Sequence, residues 1–199
     1  MKKERTFVIL KPDTIQRSLI GEITGRLERT GLKLVAAKMV YPSEKQLLEH
    51  YGKGDEWYLA KGEKRKKFLM EAGVKIDESR PPIDFGKDII GNIIHYMRSC
   101  PVMAMVWEGN QAVAVVKKLV GSTDPTSSDV GTIRGDYQID SYLFSDTEQR
   151  ALRNLLHCSD QAAEAQREIS IWFSPEELCD YRHINEAILE DVNLDGSKE

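Results

Sequence analysis

The segment Asn154-Leu155-Leu156-His157-Cys158-Ser159-Asp160 sets an imidazole between an apolar run and a helix-starting Ser-Asp. An imidazole with its ordinary pKa of about 6.5 is largely neutral at pH 7, so its free lone pair can attack an electrophile or bind a metal. A lone histidine is also, more often than not, a hydrogen-bonded structural residue. The four histidines are His50, His95, His157 and His183, and no His-x-x-x-His, Cys-x-x-Cys or His-Glu-x-x-His spacing accompanies them. A structural zinc site is therefore not expected. A serine-hydrolase triad is poorly supported, because Ser159 and Asp160 adjoin His157 whereas triad partners come from distant parts of a chain. They suit a helix cap better. Cys158 is adjacent too, but neighbours on an extended chain face opposite ways, so a Cys-His nucleophile pair is the lesser reading.

Two further places carry chemistry. Thr6 to Lys11 is a continuous apolar run ending in a lysine, which reads as a buried strand delivering Lys11 at its edge. From Gly121 to Asp136 the chain shows little apolar periodicity but is rich in hydroxyls and glycines and contains Arg134. Free N–H groups, short donors and a guanidinium fork are phosphate-binding chemistry, although a surface linker is an equal reading of the loop alone.

The elements that must position these groups alternate. After the first strand, Asp13 or Thr14 caps a helix whose Ile15, Leu19, Ile23 and Leu27 keep helical spacing up to Gly31. Leu32 to Tyr41 reads as a strand, and Ser43-Glu44-Lys45-Gln46 as a capping box opening a helix through Tyr51. Residues 52 to 88, with five glycines, Pro81-Pro82 and a Lys-rich run, read as an insertion whose charges form a solvated helix face. A helix over Lys87–Arg98, a buried strand over Pro101–Trp107 and a helix over Ala112–Val120 follow. A second insertion, 141 to 153, contains Ser145-Asp146-Thr147-Glu148 as a further capping box. Ser159 is expected to cap a helix to about Phe173, Ser174-Pro175 to open another, and the polar tail from Asp191 to fray.

The chain has 199 residues, 41% hydrophobic and 30% charged, with net charge −4. That length supports one core, read as a single domain with two insertions. No apolar run approaches the roughly 20 residues that span a bilayer, and the apolar start runs straight into Lys11-Pro12-Asp13, so neither a membrane segment nor a signal peptide is expected. Cys100, Cys158 and Cys179 are odd in number and scattered, which fits reduced thiols and a cytoplasmic location. The acidic balance argues against a stable nucleic-acid partner.

In chain order, Lys11-Pro12-Asp13, Ser99-Cys100-Pro101 with Val106-Trp107-Glu108-Gly109, Gly121-Ser122-Thr123-Asp124-Pro125, Gly131-Thr132-Ile133-Arg134-Gly135-Asp136 and Asn154 to Asp160 resemble the nucleoside diphosphate kinases over roughly residues 4 to 183. The resemblance implies an α+β fold: a ferredoxin-like βαββαβ antiparallel sheet with helices on one face, plus helical insertions. It implies transfer of the γ-phosphate of ATP to nucleoside diphosphates by a ping-pong route through phospho-His157, with Glu168 orienting the imidazole. It further implies nucleotide binding by Lys11, Tyr51, Ile89, Lys117, Thr123, Arg134 and Asn154, Mg²⁺ carried mainly on the nucleotide phosphates rather than by protein ligands, and a homo-oligomer, tetramer or hexamer.

Three positions depart from the family pattern. Lys117 replaces an arginine and so loses the two-point fork. Ile89 stands where a base-stacking phenylalanine is usual, so either an apolar clamp suffices or Trp57, Tyr58 or Phe85 takes over. Cys158 replaces a glycine and makes the site oxidisable. A catalytically weak nucleotide-binding homologue with a regulatory role is the alternative function. A ferredoxin-like RNA-binding module is disfavoured by charge and by the lack of an aromatic sheet motif.

Overall fold

A computed structural model describes residues 3–190; the polar tail expected at 191–199 lies outside them. The elements in chain order are β1 (Glu4–Leu10), α1 (Pro12–Gln16), α2 (Ile20–Glu28), β2 (Lys33–Val40), α3 (Glu44–Tyr51), α4 (Asp55–Glu71), α5 (Pro82–Met97), β3 (Val102–Gly109), α6 (Ala112–Val120), α7 (Ile133–Tyr137), α8 (Tyr142–Thr147), β4 (Leu156–Cys158), α9 (Ala162–Trp172) and α10 (Ile184–Glu190). The four strands form one sheet in the order β2-β3-β1-β4, with every neighbouring pair antiparallel. The result is the expected α+β arrangement, in which the two strands that end at Leu10 and begin at Leu156 lie side by side.

β1 is central because its sequence has no polar face. Phe7, Val8, Ile9 and Leu10 are all fully buried, and burying each such side chain contributes about 1.5–3 kcal/mol. Alternation sends them to two cores. Phe7 and Ile9 meet Leu47, Ile90, Ile94, Met97, Ile169 and Trp172 from α3, α5 and α9. Val8 and Leu10 meet Ile23, Leu27, Val116, Val120 and Ile133 from α2, α6 and α7. The crossover helices α2 and α6 thus share one face, and the opposite face is covered as well.

Local expectations fail where tertiary bonds outvote the local pattern. The helix expected from Asp13 to Leu27 is broken at Ser18, which takes φ of 57°. Apolar spacing hides this break, because residues on both sides bury the same face. The Ser145 capping box does not open a helix: Ser141 caps α8, its Oγ accepting from the Phe144 N–H, and Ser145 lies near that helix's end. Ser174-Pro175 opens only a 3₁₀ turn over Pro175–Glu177, after which the Cys179 N–H donates to Val35 O and draws the chain back along β2. α5 begins at Pro82 and not at Lys87, using proline at its first position, where no amide hydrogen is needed.

Residues 52 to 88 are mostly a helical hairpin of α4 and α5, packed backbone to backbone. A Cβ on Gly62 would lie 1.7 Å from Pro82 O, and one on Gly86 would lie 2.0 Å from Tyr58 O. Only glycine permits that approach. Of the charged run over 63–67, Arg65 is buried rather than solvated, and its Nε lies 3.1 Å from Asp146 Oδ1 of α8.

Candidate active site

Lys11, at the end of β1, His157, in β4, and the segment after α6 converge on a cleft of about 620 Å³. That volume suits one small organic ligand. Lys11, Tyr51, Ile89, Lys117, Thr123, Arg134, Asn154 and His157 all line it. Every nucleotide-binding residue expected from the sequence therefore faces one space, and Glu168 stands directly behind His157.

β4 is only three residues long, and the backbone before it is forced. Leu155 is fully buried with φ of 68°, a left-handed conformation that disfavours a branched side chain. Three bonds hold it there: the Lys11 N–H and the Thr14 hydroxyl donate to Leu155 O at 2.8 and 2.5 Å, and the Leu155 N–H donates to Asp13 Oδ2 at 3.1 Å. The strained turn aims the next residues, so Ile9 pairs with His157.

His157 Nε2 lies 2.9 Å from Glu168 Oε1. Glu168 is 1% exposed, and its other oxygen, Oε2, accepts from the Ser159 hydroxyl at 2.6 Å. A buried carboxylate acceptor fixes the proton on Nε2, which leaves the lone pair on Nδ1. Ser159 is not a helix cap. Its Oγ also accepts from the Phe7 N–H at 3.3 Å, and α9 starts three residues later, at Ala162, with Gln161 at the cap position. The hydroxyl clamps the carboxylate to the sheet, a role that sequence adjacency concealed.

His50 is a second residue that sequence reasoning missed. It is 2% exposed, accepts from Trp172 Nε1–H at 3.2 Å, and places its other nitrogen 3.7 Å from Glu168 Oε1. Burial, with His157 beside it, drives its pKa down to about 2, so it is neutral. His50, His157 and Glu168 form a group of three possible metal ligands among the described residues. His50 and Glu168 are buried behind the part-exposed ring of His157.

The cations at the inner end are held by neutral dipoles. Lys11 Nζ donates to Asn154 Oδ1 at 2.6 Å, and Asn154 Nδ2 donates to Thr123 O at 2.8 Å. Arg134 is buried on α7 and spends its guanidinium on the carbonyls of Asn154, Gly121, Ser122 and Leu156 at 2.8–3.1 Å. Burial, and then the nearby Arg134 charge, pull the Lys11 pKa down to about 8. The Tyr51 hydroxyl is buried with no hydrogen-bond partner among the described residues, and burial raises its pKa, so it is a neutral donor for a ligand.

Lys117 differs. Its ammonium lies 3.0 Å from Asp160 Oδ1, a pairing that raises its pKa. Burial pushes the Cys158 thiol up to about 11, the opposite of an activated nucleophile, so the Cys-His pair fails on chemistry. At the outer end the lining becomes apolar, with Ile89, Ile93, Ala151 and Trp57. Of the aromatic candidates in the first insertion, Trp57 lines the cleft; Phe85 is buried under Arg80, and the Tyr58 hydroxyl accepts from the Lys53 N–H.

A family model described as nucleoside diphosphate kinase matches residues 4–66 and 84–178, leaving a shorter unmatched stretch than the 52–88 expected from the sequence. A nucleoside diphosphate kinase of Pyrobaculum aerophilum is 44% identical over 184 residues, covering 90% of this chain and all of the relative. The crystal structure of an NDP kinase from the same organism superposes with a TM-score of 0.84 at 42% identity, over 90% of this chain and 100% of that one. The Borrelia burgdorferi nucleoside-diphosphate kinase, a transition-state mimic with bound vanadate and ADP, gives a TM-score of 0.73 at 32% identity, covering 93% and 95% of the two chains. The chain, with a cleft built from the same ordered motifs, belongs to the nucleoside diphosphate kinase family and is a phosphotransferase.

Proposed function

We propose that His157 Nδ1 is the phosphate carrier. Its lone pair forms the N–P bond to the γ-phosphorus of ATP while the bond from phosphorus to the β,γ-bridging oxygen breaks and leaves its electron pair on ADP. A second nucleoside diphosphate then attacks the same phosphorus through a terminal phosphate oxygen, and the pair returns to Nδ1. Splitting the transfer lets two polyanions use one site in turn. The observation that carries this reading is the chain Ser159–Glu168–His157, which presents one fixed tautomer to a cleft lined with cations.

Transfers of this kind depend mainly on positioning and charge. Lys11 and Arg134 offset charge on the moving phosphoryl group. The Tyr51 hydroxyl donates to it, while Asn154 and Thr123 hold phosphate and sugar hydroxyls. Lys117 gives weaker phosphate contact than a guanidinium, since Asp160 competes for it. Ile89, with Ile93 and Ala151, receives the base. Asp160, which lines the cleft, would offer a hard oxygen to Mg²⁺ carried mainly on the nucleotide phosphates. When bound, the ion neutralises phosphate charge. The complete histidine–carboxylate pair disfavours a catalytically weak regulatory homologue.

No described helix is long and apolar enough to cross a membrane. We place the protein in the cytoplasm on its three free cysteines. β2 is an edge strand that the chain around Cys179 and Tyr181 covers only near Leu34 and Val35; beyond them Met39 is 54% and Tyr41 73% exposed, an apolar strip suited to a homo-oligomer of four or six subunits. Light scattering after size exclusion reads that state. For the chemistry, incubation with γ-labelled ATP and Mg²⁺ is expected to give acid-labile protein phosphate that GDP removes. Label surviving in His157→Ala defeats the assignment.

A further inference from the structure

Trp57, Lys61 and Arg65 lie four residues apart along α4, so their side chains form one stripe. All three line the cleft. The stripe is rigidly mounted, because Gly62 and Gly86 lock α4 against α5 at backbone contact and Arg65 pairs with Asp146 of α8 across the outer rim. Trp57 is partly buried against the core that holds Phe7 and Ile9, and it lines the same cleft as Ile89 and Ile93. The Lys61 ammonium lies over the Trp57 ring, 5.9 Å from its centre, and among the described residues makes no ion pair or hydrogen bond that would hold it there.

From this geometry, and resting on the nucleotide cleft described above, we infer that α4 supplies a base-reading wall in which Trp57 stacks on the base and Lys61 reads its edge. A planar base stacking on that face of Trp57 takes the ammonium's place over the ring, and the flexible lysine stem leaves the ammonium at the base's rim. An ammonium has three donors and no acceptor. It therefore favours bases that present a ring carbonyl oxygen and disfavours those that present an exocyclic amine at the same place. Guanine offers O6 and N7 where adenine offers N7 beside an amine, and the contrast is cleaner between uracil, with O4, and cytosine, with an amine. The two pyrimidines stack almost equally, so their ratio isolates the edge contact. The enzyme discriminates towards oxo bases at a position where apolar stacking alone gives none.

The test uses the intact phosphorylated protein. Phosphoenzyme is prepared with labelled ATP, and its decay is followed after addition of UDP or CDP. UDP is expected to be favoured in kcat/KM by about three- to tenfold, the scale of one hydrogen bond to a partly solvated charge. In Lys61→Met, which keeps the stem over Trp57 but removes the donors, the ratio falls to within about twofold of unity. Trp57→Ala raises KM for both diphosphates by about five- to a hundredfold with kcat little changed, since stacking acts on bound and reacting nucleotide alike. A native ratio near one, a ratio unchanged in Lys61→Met, or an unmoved KM in Trp57→Ala each overturns the inference while leaving the phosphohistidine intact. Failure to form phosphoenzyme removes the underlying reading and this wall with it.

Discussion

Replacing Glu168 by glutamine removes a charge while sparing the shape around it. The carboxamide oxygen can still accept from His157 Nε2–H, now 2.9 Å from Oε1. Its NH₂ can turn to Ser159 Oγ, whose own proton has Phe7 O at 3.5 Å to receive it. No buried group is orphaned, so the fold is expected to survive. What is lost is the charge facing the imidazole as attack on phosphorus makes the ring cationic. Exchanging a charge-assisted hydrogen bond for a neutral one costs about 1–2 kcal/mol. Two unit charges about 4 Å apart at an effective dielectric near 20 interact by about 4 kcal/mol, which is the upper bound. The barrier therefore rises by about 1–4 kcal/mol, and phosphoenzyme formation slows by about 5- to 1000-fold. Rapid-quench single turnover with labelled ATP measures that step. Because Glu168 lies behind His157 and does not line the cleft, the loss should fall on the rate and not on the ATP concentration needed for half-saturation. A rate within threefold of native, or a defect confined to half-saturation, would refute the orienting role.

Lys11 carries charge only below its lowered pKa of about 8, so kcat/KM for ATP is expected to fall as pH rises through that value, and a profile flat to pH 9.5 would oppose its role on phosphate. Gly62→Ala ordinarily favours a helix by about 1 kcal/mol, but here the methyl meets Pro82 O; thermal unfolding should show a loss of about 1–3 kcal/mol, and a raised Tm would show that α4 and α5 are not locked. Ser159→Ala frees one carboxylate oxygen in a buried place, at a cost of about 1–3 kcal/mol, and should slow phosphoenzyme formation; normal kinetics would make the clamp irrelevant. At pH 8, iodoacetamide should modify exposed Cys179 well before Cys158, whose thiol is held up near 11; mass spectrometry of the early products decides this.

The residues proposed to touch the ligand were legible because each sits where the sequence pattern changes abruptly: Lys11 after an apolar run, Arg134 in a stretch without periodicity, and His157 shortly before the polar pair Ser159-Asp160. The residues behind them were not. Ser159 has the type and position of a helix cap, and only the approach of β1 and α9 from either side shows that it serves Glu168. His50 lies at a helix end like many structural histidines, and its pairing with Trp172 spans 122 residues. Trp57 was one of three aromatic candidates in the sequence, and choosing it over Tyr58 and Phe85 needed the α4–α5 hairpin, whose register depends on two glycines that pattern reading treats as loop punctuation. Local spacing identifies faces and ends, whereas support for a site comes from contacts between remote segments.

An acidic chain can grip a polyanion because its cleft cations are not equally neutralised. Arg150 is doubly bonded to Asp140, Arg65 faces Asp146, and Lys117 faces Asp160, so each of these brings little net charge to a ligand. Lys11 and Arg134 are held instead by an amide oxygen and four backbone carbonyls. Neutral acceptors fix direction without cancelling charge, and burial amplifies the field that remains. The same burial drives the Lys11 pKa towards neutrality, which limits how many cations can be placed this way. Substituting Asn154 by aspartate tests the principle: the Lys11 contact persists while the added carboxylate cancels its charge, and the bond from the amide NH₂ to Thr123 O is given up with it. Affinity for nucleotide should drop by about tenfold or more, on the scale of one lost charged contact. Calorimetric titration with ADP and Mg²⁺ reads it, and an unchanged affinity would show that the lysine's position matters and its free charge does not.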